Sequence, residues 1–431
     1  MDRVFDHQLS RRQLLKASAA GAVAAGIGPL AVSSVRAAGN GRLIPAGKVG
    51  TITFTQRDVP SRVGIAASAS LGVPPTMGYL GGANFPEDPT DLGPLVPLPG
   101  GWRELLEFLA NAGIHQIEFA GYTQNAANPG GARPNPNNPA NWPAYLAYGH
   151  TLRGFLDEFG LEAIGNHGFI PNTWPGPSSP GGGMSTADYD LFQTELEFAS
   201  ILGMPYMGTG NDPTNASATN GRMKETWDIA GEKWEALNEL SLAWGIHLYP
   251  HNHSPAYQFL QDGPLVEVTE DRLTGAPIEP TIVRGESGIR LMEYYLQITD
   301  PESCLIELDI FWAHVAQHQH RWYYDYEGNR VEKIFDPLAL VASQTLRFPL
   351  YHAKDGDRTT EPVGVGNGYT MIPFGDARSD IDFATFFKNQ GERGYHNPNY
   401  EQDNAPGGSA DPGQSLRFSI ISGANMNALR G

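Results

Sequence analysis

Short apolar runs alternate with amphipathic helical patterns along most of the chain. The first run, VGTITFTQRDV, is rich in β-branched residues and predicts a strand. The next segment, WRELLEFLANAGI, has the apolar spacing of a helix that ends near Gly113. The alternation continues toward the C-terminus, and further strands are predicted at HQIEFAGY, EAIGNHGFI, MPYMGTG, IHLYPHNH, CLIELDIFWA, FPLYHAKDG and YHNPNYEQD.

Eight strand-like runs, each followed by a helical pattern, predict an α/β fold of the (β/α)8 TIM-barrel type. A doubly wound open sheet is the structural alternative, but no G-x-G-x-x-G motif follows the first strand. Polar stretches at 123–143 and 171–186 interrupt the alternation, and residues 263–290 alternate enough to predict a hairpin. These three stretches lie after strands, where insertions shape the mouth of a barrel. Residues 41–431 are therefore expected to form a single TIM-barrel domain with inserted loops.

The first 40 residues have the layout of an export signal. Arg11 and Arg12 form an arginine pair, a short Ala- and Gly-rich apolar stretch follows, and Val35-Arg36-Ala37 resembles a cleavage site. Residues 1–40 are thus predicted to be a twin-arginine signal peptide, which places the mature chain in the periplasm or outside the cell. An uncleaved membrane anchor is the main alternative for this segment.

Composition narrows the partners of the mature chain. The formal net charge of −18 argues against binding to nucleic acid or to anionic membranes. No second apolar run approaches the length of a membrane span, so no membrane association is expected for the mature form. Cys304 is the only cysteine, so no disulfide within the chain can form and a large core must supply the stability.

Ionisable residues stand near the carboxyl ends of most predicted strands. They are Glu118, His167, His251, His253, Glu307, Asp309, His352, Lys354, Asp355, Glu401 and Asp403. The carboxyl ends of barrel strands meet at one mouth, so these residues are expected to share a pocket. His, Asp and Glu without Cys form a nitrogen and oxygen ligand set, which suits one Mn²⁺, Mg²⁺, Co²⁺ or Zn²⁺ ion.

Spacing alone leaves some assignments open. His251 and His253 are two residues apart near a strand end, so their rings are expected to point the same way, as a metal or acid–base site or as hydrogen-bonded loop histidines. Glu307 and Asp309 share a strand face, and Asp309 is favoured as the functional one because it is nearer the strand end. The HQHRW motif at 318–322 has metal-like spacing but is expected to be a solvated loop.

YPHNHSPAYQF, ELDIFWAHVA, PLYHAKDG, PFGDARSDIDFATFF and NYEQDNA together resemble the sugar phosphate isomerase/epimerase group of xylose isomerase-like barrels, in its branch exported by the twin-arginine pathway. The resemblance runs in order from about Val49 to the last helix and is strongest after residue 246. It implies one divalent metal at the barrel mouth, bound by His251, Asp309, His352 and Glu401. Many relatives carry a glutamate at the position of His251, and Gln258 stands where a glutamate is usual.

The function that this resemblance implies is a metal-dependent isomerase or epimerase that abstracts a proton next to the carbonyl of a sugar or keto-sugar. Glu118, His167 and His253 are the expected acid–base or substrate-contact residues, with Lys354 as the electrostatic partner of an oxyanion. A lyase or hydratase acting on a 3-keto-glycoside and a non-catalytic exported sugar-binding barrel are the alternatives. Barrels of this kind often form homo-oligomers, and the sequence leaves the oligomeric state open.

Overall fold

The computed structural model describes the chain from residue 41 to its C-terminus in seven ranges: 41–120, 124–125, 128–174, 183–214, 221–358, 368–391 and 397–431. The predicted signal peptide and parts of the predicted insertions at 123–143 and 171–186 lie outside the described residues. Within these ranges no helix has the length and apolar character needed to cross a bilayer.

Eight parallel strands form the barrel, as the sequence predicts. In chain order they are β1 (Gly50–Ile52), β2 (Gln116–Ala120), β3 (Glu162–His167), β4 (Tyr206–Gly208), β5 (His247–Tyr249), β6 (Glu307–Asp309), β7 (Leu350–Ala353) and β8 (Asn397–Tyr400). The sheet order is β6-β7-β8-β1-β2-β3-β4-β5, so every strand pairs with its neighbours in sequence except β5 with β6, and β1 joins β8 to β2. This order is that of a (β/α)8 TIM barrel, and the predicted fold class is confirmed.

The barrel closes between β5 and β6 through a narrow seam. A single parallel bridge joins His251 to Glu307, and the Glu307 amide donates to the Pro250 carbonyl over 3.0 Å. Beyond this bridge the side chain of Asn252 takes over from the backbone. Its Oδ1 accepts from the Asp309 amide over 3.0 Å and its Nδ2 donates to the Asp309 carbonyl over 3.2 Å.

Helices surround the strands. They span Ile65–Leu71, Gly101–Asn111, Trp142–Phe159, Thr186–Leu202, Lys224–Ser241, Leu291–Ile298, Ile310–Gln319, Pro337–Ser343, Phe383–Gly391 and Gln414–Ala428. Several end at a glycine in the left-handed conformation, such as Gly160 and Gly203, which terminates the helix before the following strand. Their buried faces pack on the barrel, and the stacked rings of Tyr145 and Phe198 join two neighbouring helices.

The observed strands are shorter than the predicted runs, and one of these runs continues as a helix. The apolar run CLIELDIFWA predicts a strand through Ala313, but β6 ends at Asp309 and a helix begins at Ile310. The reason is local, because the Asp309 side chain accepts a hydrogen bond from the Trp312 amide over 2.8 Å and so caps the helix. The helix continues to Gln319, so the prediction of a solvated loop for the HQHRW motif is wrong for His318, which lies in its last turn.

Hairpins occupy several connections after the strands. The hairpin predicted within 263–290 is confirmed, since Leu265–Glu270 pairs antiparallel with Pro277–Arg284. Four further pairs of short antiparallel strands are described: Met77–Tyr79 with Leu95–Pro97, Gln124–Asn125 with Asn128–Ala132, Trp322–Tyr324 with Arg330–Glu332, and Asp355–Arg358 with Tyr369–Ile372. The barrel domain proposed for residues 41–431 thus carries its extra structure mainly between strands and the helices that follow them.

Candidate metal centre

The predicted site residues lie together at the carboxyl end of the barrel. A cavity of about 360 Å³ opens there, lined by Phe54, Arg57, His167, Gly210, His251, His253, Glu401 and Asp403. Below it, Glu118, Asp309, His352 and Lys354 are buried. All eight residues predicted as ligands or catalytic groups therefore belong to one site.

Glu307 lies at the centre of this site, although the sequence analysis favoured Asp309 over it. Its Oε2 is 3.0 Å from His167 Nε2 and 3.0 Å from His251 Nδ1, and its Oε1 is 3.1 Å from His352 Nε2. The positive charge of His352 and the hydrogen bonds from His167 and His251 outweigh burial and hold the pKa of Glu307 well below its usual value. An ionised carboxylate only accepts hydrogen bonds, so each of these three nitrogens carries a proton.

Glu118 supports His352 from the opposite side. Its Oε2 is 3.0 Å from His352 Nε2 and accepts from Asn399 Nδ2 over 2.9 Å, while its Oε1 accepts from the Tyr249 hydroxyl over 2.6 Å. The Tyr249 ring reaches Glu118 because Gly208 on β4 leaves room, since a Cβ there would overlap the ring. Burial, together with the nearby Glu307 carboxylate, raises the pKa of Glu118.

These contacts determine which ring nitrogen of His251 and of His352 remains available to bind a metal ion. With Nδ1 of His251 directed to Glu307, its Nε2 faces Asp309 and lies 3.8 Å from Oδ2. With Nε2 of His352 directed to Glu118 and Glu307, its Nδ1 lies 2.8 Å from Glu401 Oε2. Metal-binding histidines are commonly oriented in this way: the ring nitrogen that does not bind the ion donates a hydrogen bond to a carboxylate.

Asp309 is held in place from two sides. Asn252 braces its backbone across the seam, and its own Oδ1 caps the following helix. Only Oδ2 is left to face the site, and burial raises the pKa of this carboxyl to about 7 even though Lys354 opposes the shift. The asparagine between the two histidines is therefore a positioning residue for Asp309, a role that spacing could not reveal.

Two overlapping sets of side chains have the geometry to bind a metal ion. One contains His167, His251, Glu307 and His352, and the other Asp309, His352 and Glu401. In the first set the nitrogens already contact the Glu307 carboxylate at hydrogen-bonding distance. In the second set the buried atoms Asp309 Oδ2, His352 Nδ1 and Glu401 Oε2 have no hydrogen bond of normal geometry. The two carboxylate oxygens of this set already face the positive charge of Lys354 without a hydrogen bond of normal geometry, so the second set fits a cation better.

Lys354 supplies positive charge to the same carboxylates. Its buried Nζ is 2.9 Å from Asp309 Oδ2, 2.7 Å from Glu401 Oε2 and 3.0 Å from Asp403 Oδ1. These charges raise the pKa of Lys354 despite its burial, so it remains an ammonium. In the same way Glu307, Glu401 and Glu118 hold the pKa of His352 well above its usual value, although burial opposes this.

His253 differs from His251 in exposure. His251 is buried, whereas His253 lies beyond the strand at the mouth, is exposed and packs edge-on against Trp312 with ring centroids 5.5 Å apart. Protein packed around the rest of its ring, together with the charge of Lys354, lowers the pKa of His253 to about 4. At neutral pH it presents an uncharged imidazole beside the cavity. The two rings lie 5.0 Å apart, so the pair does share one site.

Phe54 and Arg57 line the mouth and were not identified from the sequence. They follow β1, and the Arg57 guanidinium lies over the Phe54 ring and donates to the Asp403 carbonyl over 2.7 Å. The available signal was their position directly after a barrel strand, where site residues concentrate. Among the aromatic residues near the strand ends, Phe119, Trp174 and Phe311 are buried, whereas Trp312 is only partly buried.

Comparison with known proteins identifies the N-terminal segment. Residues 8–28 match the family of twin-arginine translocation pathway signal sequences. The predicted export by this pathway is therefore confirmed. Among curated proteins, none matches the sequence.

The chain is also similar to several solved structures, each of which matches about three quarters of its length. The chain is similar to a sugar phosphate isomerase/epimerase from Parabacteroides distasonis ATCC 8503, with 18% identity, a TM-score of 0.44, and coverage of 76% of this chain and 87% of that one. It is also similar to a D-allulose 3-epimerase from Methylomonas sp., with 14% identity, a TM-score of 0.40, and coverage of 75% and 89%. A probable 3-DHS dehydratase from Bacillus anthracis has 12% identity, a TM-score of 0.44, and coverage of 76% and 93%. These proteins include the group that the sequence motifs resemble, at identities too low to transfer an activity.

Proposed function

We propose that this protein is a metal-dependent enzyme that moves a proton next to the carbonyl of a sugar or keto-sugar, as an isomerase or epimerase does. The observation that carries the proposal is the convergence of Asp309 Oδ2, His352 Nδ1 and Glu401 Oε2, all buried and lacking hydrogen bonds of normal geometry, beneath an open cavity. An uncharged imidazole, that of His253, lies beside the same cavity.

The ligands in this proposal are His251, Asp309, His352 and Glu401. A divalent ion bound to them would act as a Lewis acid that polarises a substrate carbonyl and stabilises the adjacent enediolate. Glu307 and Glu118 would hold the two histidine ligands in the required tautomers. Because Lys354 and His352 both carry positive charge toward Asp309 and Glu401, ion binding is expected to release a proton.

The remaining residues divide by their access to the cavity. His253 and His167 line it and can reach a substrate, so they are the proposed acid–base pair. Glu118 is buried beneath His352, and we assign it to positioning rather than to proton transfer with substrate. Lys354 would stabilise negative charge through Asp309 and Glu401, which it contacts. The ring of Trp312 and the Phe54–Arg57 pair offer faces for a sugar.

The test combines metal analysis with proton exchange on the mature protein. Elemental analysis should find a divalent ion in the mouth site, and the protein should catalyse exchange of solvent deuterium into a keto-sugar from a panel. His251→Gln should lose the ion and the exchange together. His253→Gln should keep the ion and lose exchange by about 10²-fold or more, the usual effect of removing a general base.

His150→Gln is the matched control, because His150 is exposed on a helix away from the mouth. Bound metal with sugar binding but no exchange would reject the enzymatic proposal in favour of a binding protein. Exchange accompanied by loss of a leaving group would identify the lyase or hydratase instead. If both His251→Gln and His253→Gln kept metal and exchange, the histidine pair would be structural and the proposal would fail.

A further inference from the structure

A second group of potential metal ligands lies outside the mouth. His314 and His318 stand one turn apart on the helix Ile310–Gln319, and Asp380 faces them from the segment before the helix Phe383–Gly391. None of the three lines the mouth cavity. The HQHRW motif drew attention to His318, but its partner is His314, four residues earlier and on the same helical face.

We propose that His314, His318 and Asp380 bind a second divalent transition-metal ion. His314 Nε2 is buried, has no hydrogen-bond partner and lies 3.6 Å from Asp380 Oδ2. That separation is too long for a hydrogen bond with this nitrogen. It is close to the edge between two ligands of a tetrahedral ion, about 3.3–3.4 Å for bonds of about 2.0–2.1 Å.

The ligand positions are held before any ion arrives. The Asp380 amide donates to the Gly356 carbonyl over 3.0 Å, and the Tyr369 hydroxyl donates to Asp380 Oδ2 over 3.1 Å. The Tyr369 ring packs edge-on against His314, with centroids 5.7 Å apart.

The chemistry of these three side chains determines which ions can bind to them. Two imidazoles and one carboxylate suit Zn²⁺, Co²⁺, Ni²⁺ or Cu²⁺, and three protein ligands leave a position for water. An anion is disfavoured because the Asp380 carboxylate stands in the middle of the group. An ion here would connect the helix that follows β6 to the connection that follows β7.

Arg358 is the group that competes with the ion. Its Nε is 3.6 Å from Asp380 Oδ2 and its Nη1 is 3.4 Å from His318 Nδ1, and its side chain is 30% exposed. The guanidinium must turn toward solvent for the ion to bind. Arg358→Ala should therefore raise the affinity for Zn²⁺ by about tenfold or more, since it removes a positive charge from the site.

The experiment counts Zn²⁺ bound to the chelator-treated mature chain by elemental analysis. The double variant His314→Ala/His318→Ala should bind one ion fewer per chain than the wild type. The control His115→Ala/His150→Ala removes two exposed histidines from elsewhere and should bind as many ions as the wild type. An unchanged count in the His314→Ala/His318→Ala variant, or an Arg358→Ala variant with no gain in affinity, would overturn the second site.

The mouth site is tested separately with Asp309→Ala/His352→Ala. Loss of one ion in this variant and of another in His314→Ala/His318→Ala supports both sites. Loss of an ion only in His314→Ala/His318→Ala supports the second site and rejects the metal of the proposed function. Loss of an ion only in Asp309→Ala/His352→Ala supports the metal of the proposed function and rejects the second site.

Discussion

Replacing Glu307 by glutamine tests how the site orients its histidines. The substitution keeps the volume of the side chain and removes one negative charge. In the native site Oε2 accepts hydrogen bonds from His167 and His251 over 3.0 Å, whereas Oε1 faces His352 Nε2 at 3.1 Å, a nitrogen that donates to Glu118. A carboxamide has a single oxygen, so one of these sides must face an NH₂ group instead.

The size of the effect follows from that geometry. The favoured orientation keeps the oxygen toward His167 and His251 and turns the NH₂ group toward His352 Nε2, where two donors then meet. Two donors in contact at this position cost about as much as a lost charge-assisted hydrogen bond, about 1.5–3 kcal/mol. If this cost falls on the orientation of His352, metal affinity should drop by about 10–100-fold, the range seen when such orienting carboxylates are removed.

Titration with Mn²⁺ or Zn²⁺ in competition with a chromogenic chelator measures this change. Glu239→Gln, on the exposed face of the helix Lys224–Ser241, is the control and should bind metal like the wild type. If the Glu307→Gln variant bound metal with unchanged affinity, Glu307 would not be the group that fixes the histidine tautomers. A variant that no longer binds metal at any accessible concentration would show that Glu307 is itself a ligand.

Two further predictions concern export and stability. The double substitution Arg11→Lys/Arg12→Lys should keep the precursor in the cytoplasm, because the export machinery recognises the arginine pair. Cell fractionation with immunoblotting measures the location of the protein, and normal export of the variant would contradict the prediction. Lys233 is buried, and burial lowers its pKa from 10.5 to about 8. Below pH 8 the buried lysine is charged, which lowers the free energy of unfolding. This destabilisation disappears as the pH rises above 10.5, where the lysine is neutral in both the folded and the unfolded chain. Lys233→Met should therefore stabilise the protein by up to about 3 kcal/mol at pH 7 and by much less at pH 10, as denaturant titrations at both pH values would show. An equal effect at the two pH values would mean that packing, and not charge, is responsible.

The sequence was sufficient to predict where the polar residues meet, but not what each one contacts. Strand ends can be located from apolar runs, and the topology of a barrel brings the ends together, so His251, Asp309, His352 and Glu401 could be grouped in advance. Glu307 could not be ranked above Asp309, because its importance lies in contacts with side chains from β3, β7 and the segment after β5. These contacts depend on rotamers and on the register between strands, which a single sequence does not encode in any local pattern.

Two errors have the same origin. IFWA after Asp309 has the composition of a strand, and only the capping hydrogen bond to the Trp312 amide makes it the start of a helix. The HQHRW motif was expected to be a solvated loop, in which His320 would be the nearest histidine to His318. Once the segment is helical, however, the neighbour on the same face is His314. In both cases a single capping interaction changed the periodicity by which the following residues had to be interpreted.

The narrow seam between β5 and β6 has a consequence for how such an enzyme could be modified. Two of the proposed ligands, His251 and Asp309, belong to opposite edges of the seam, and backbone bonding between those edges is sparse there. The spacing of these ligands is therefore adjustable through residues that never touch an ion, above all Asn252. Lineages of this barrel, or protein engineers, could retune the preferred ion or the reaction by changing that joint while every ligand stays the same.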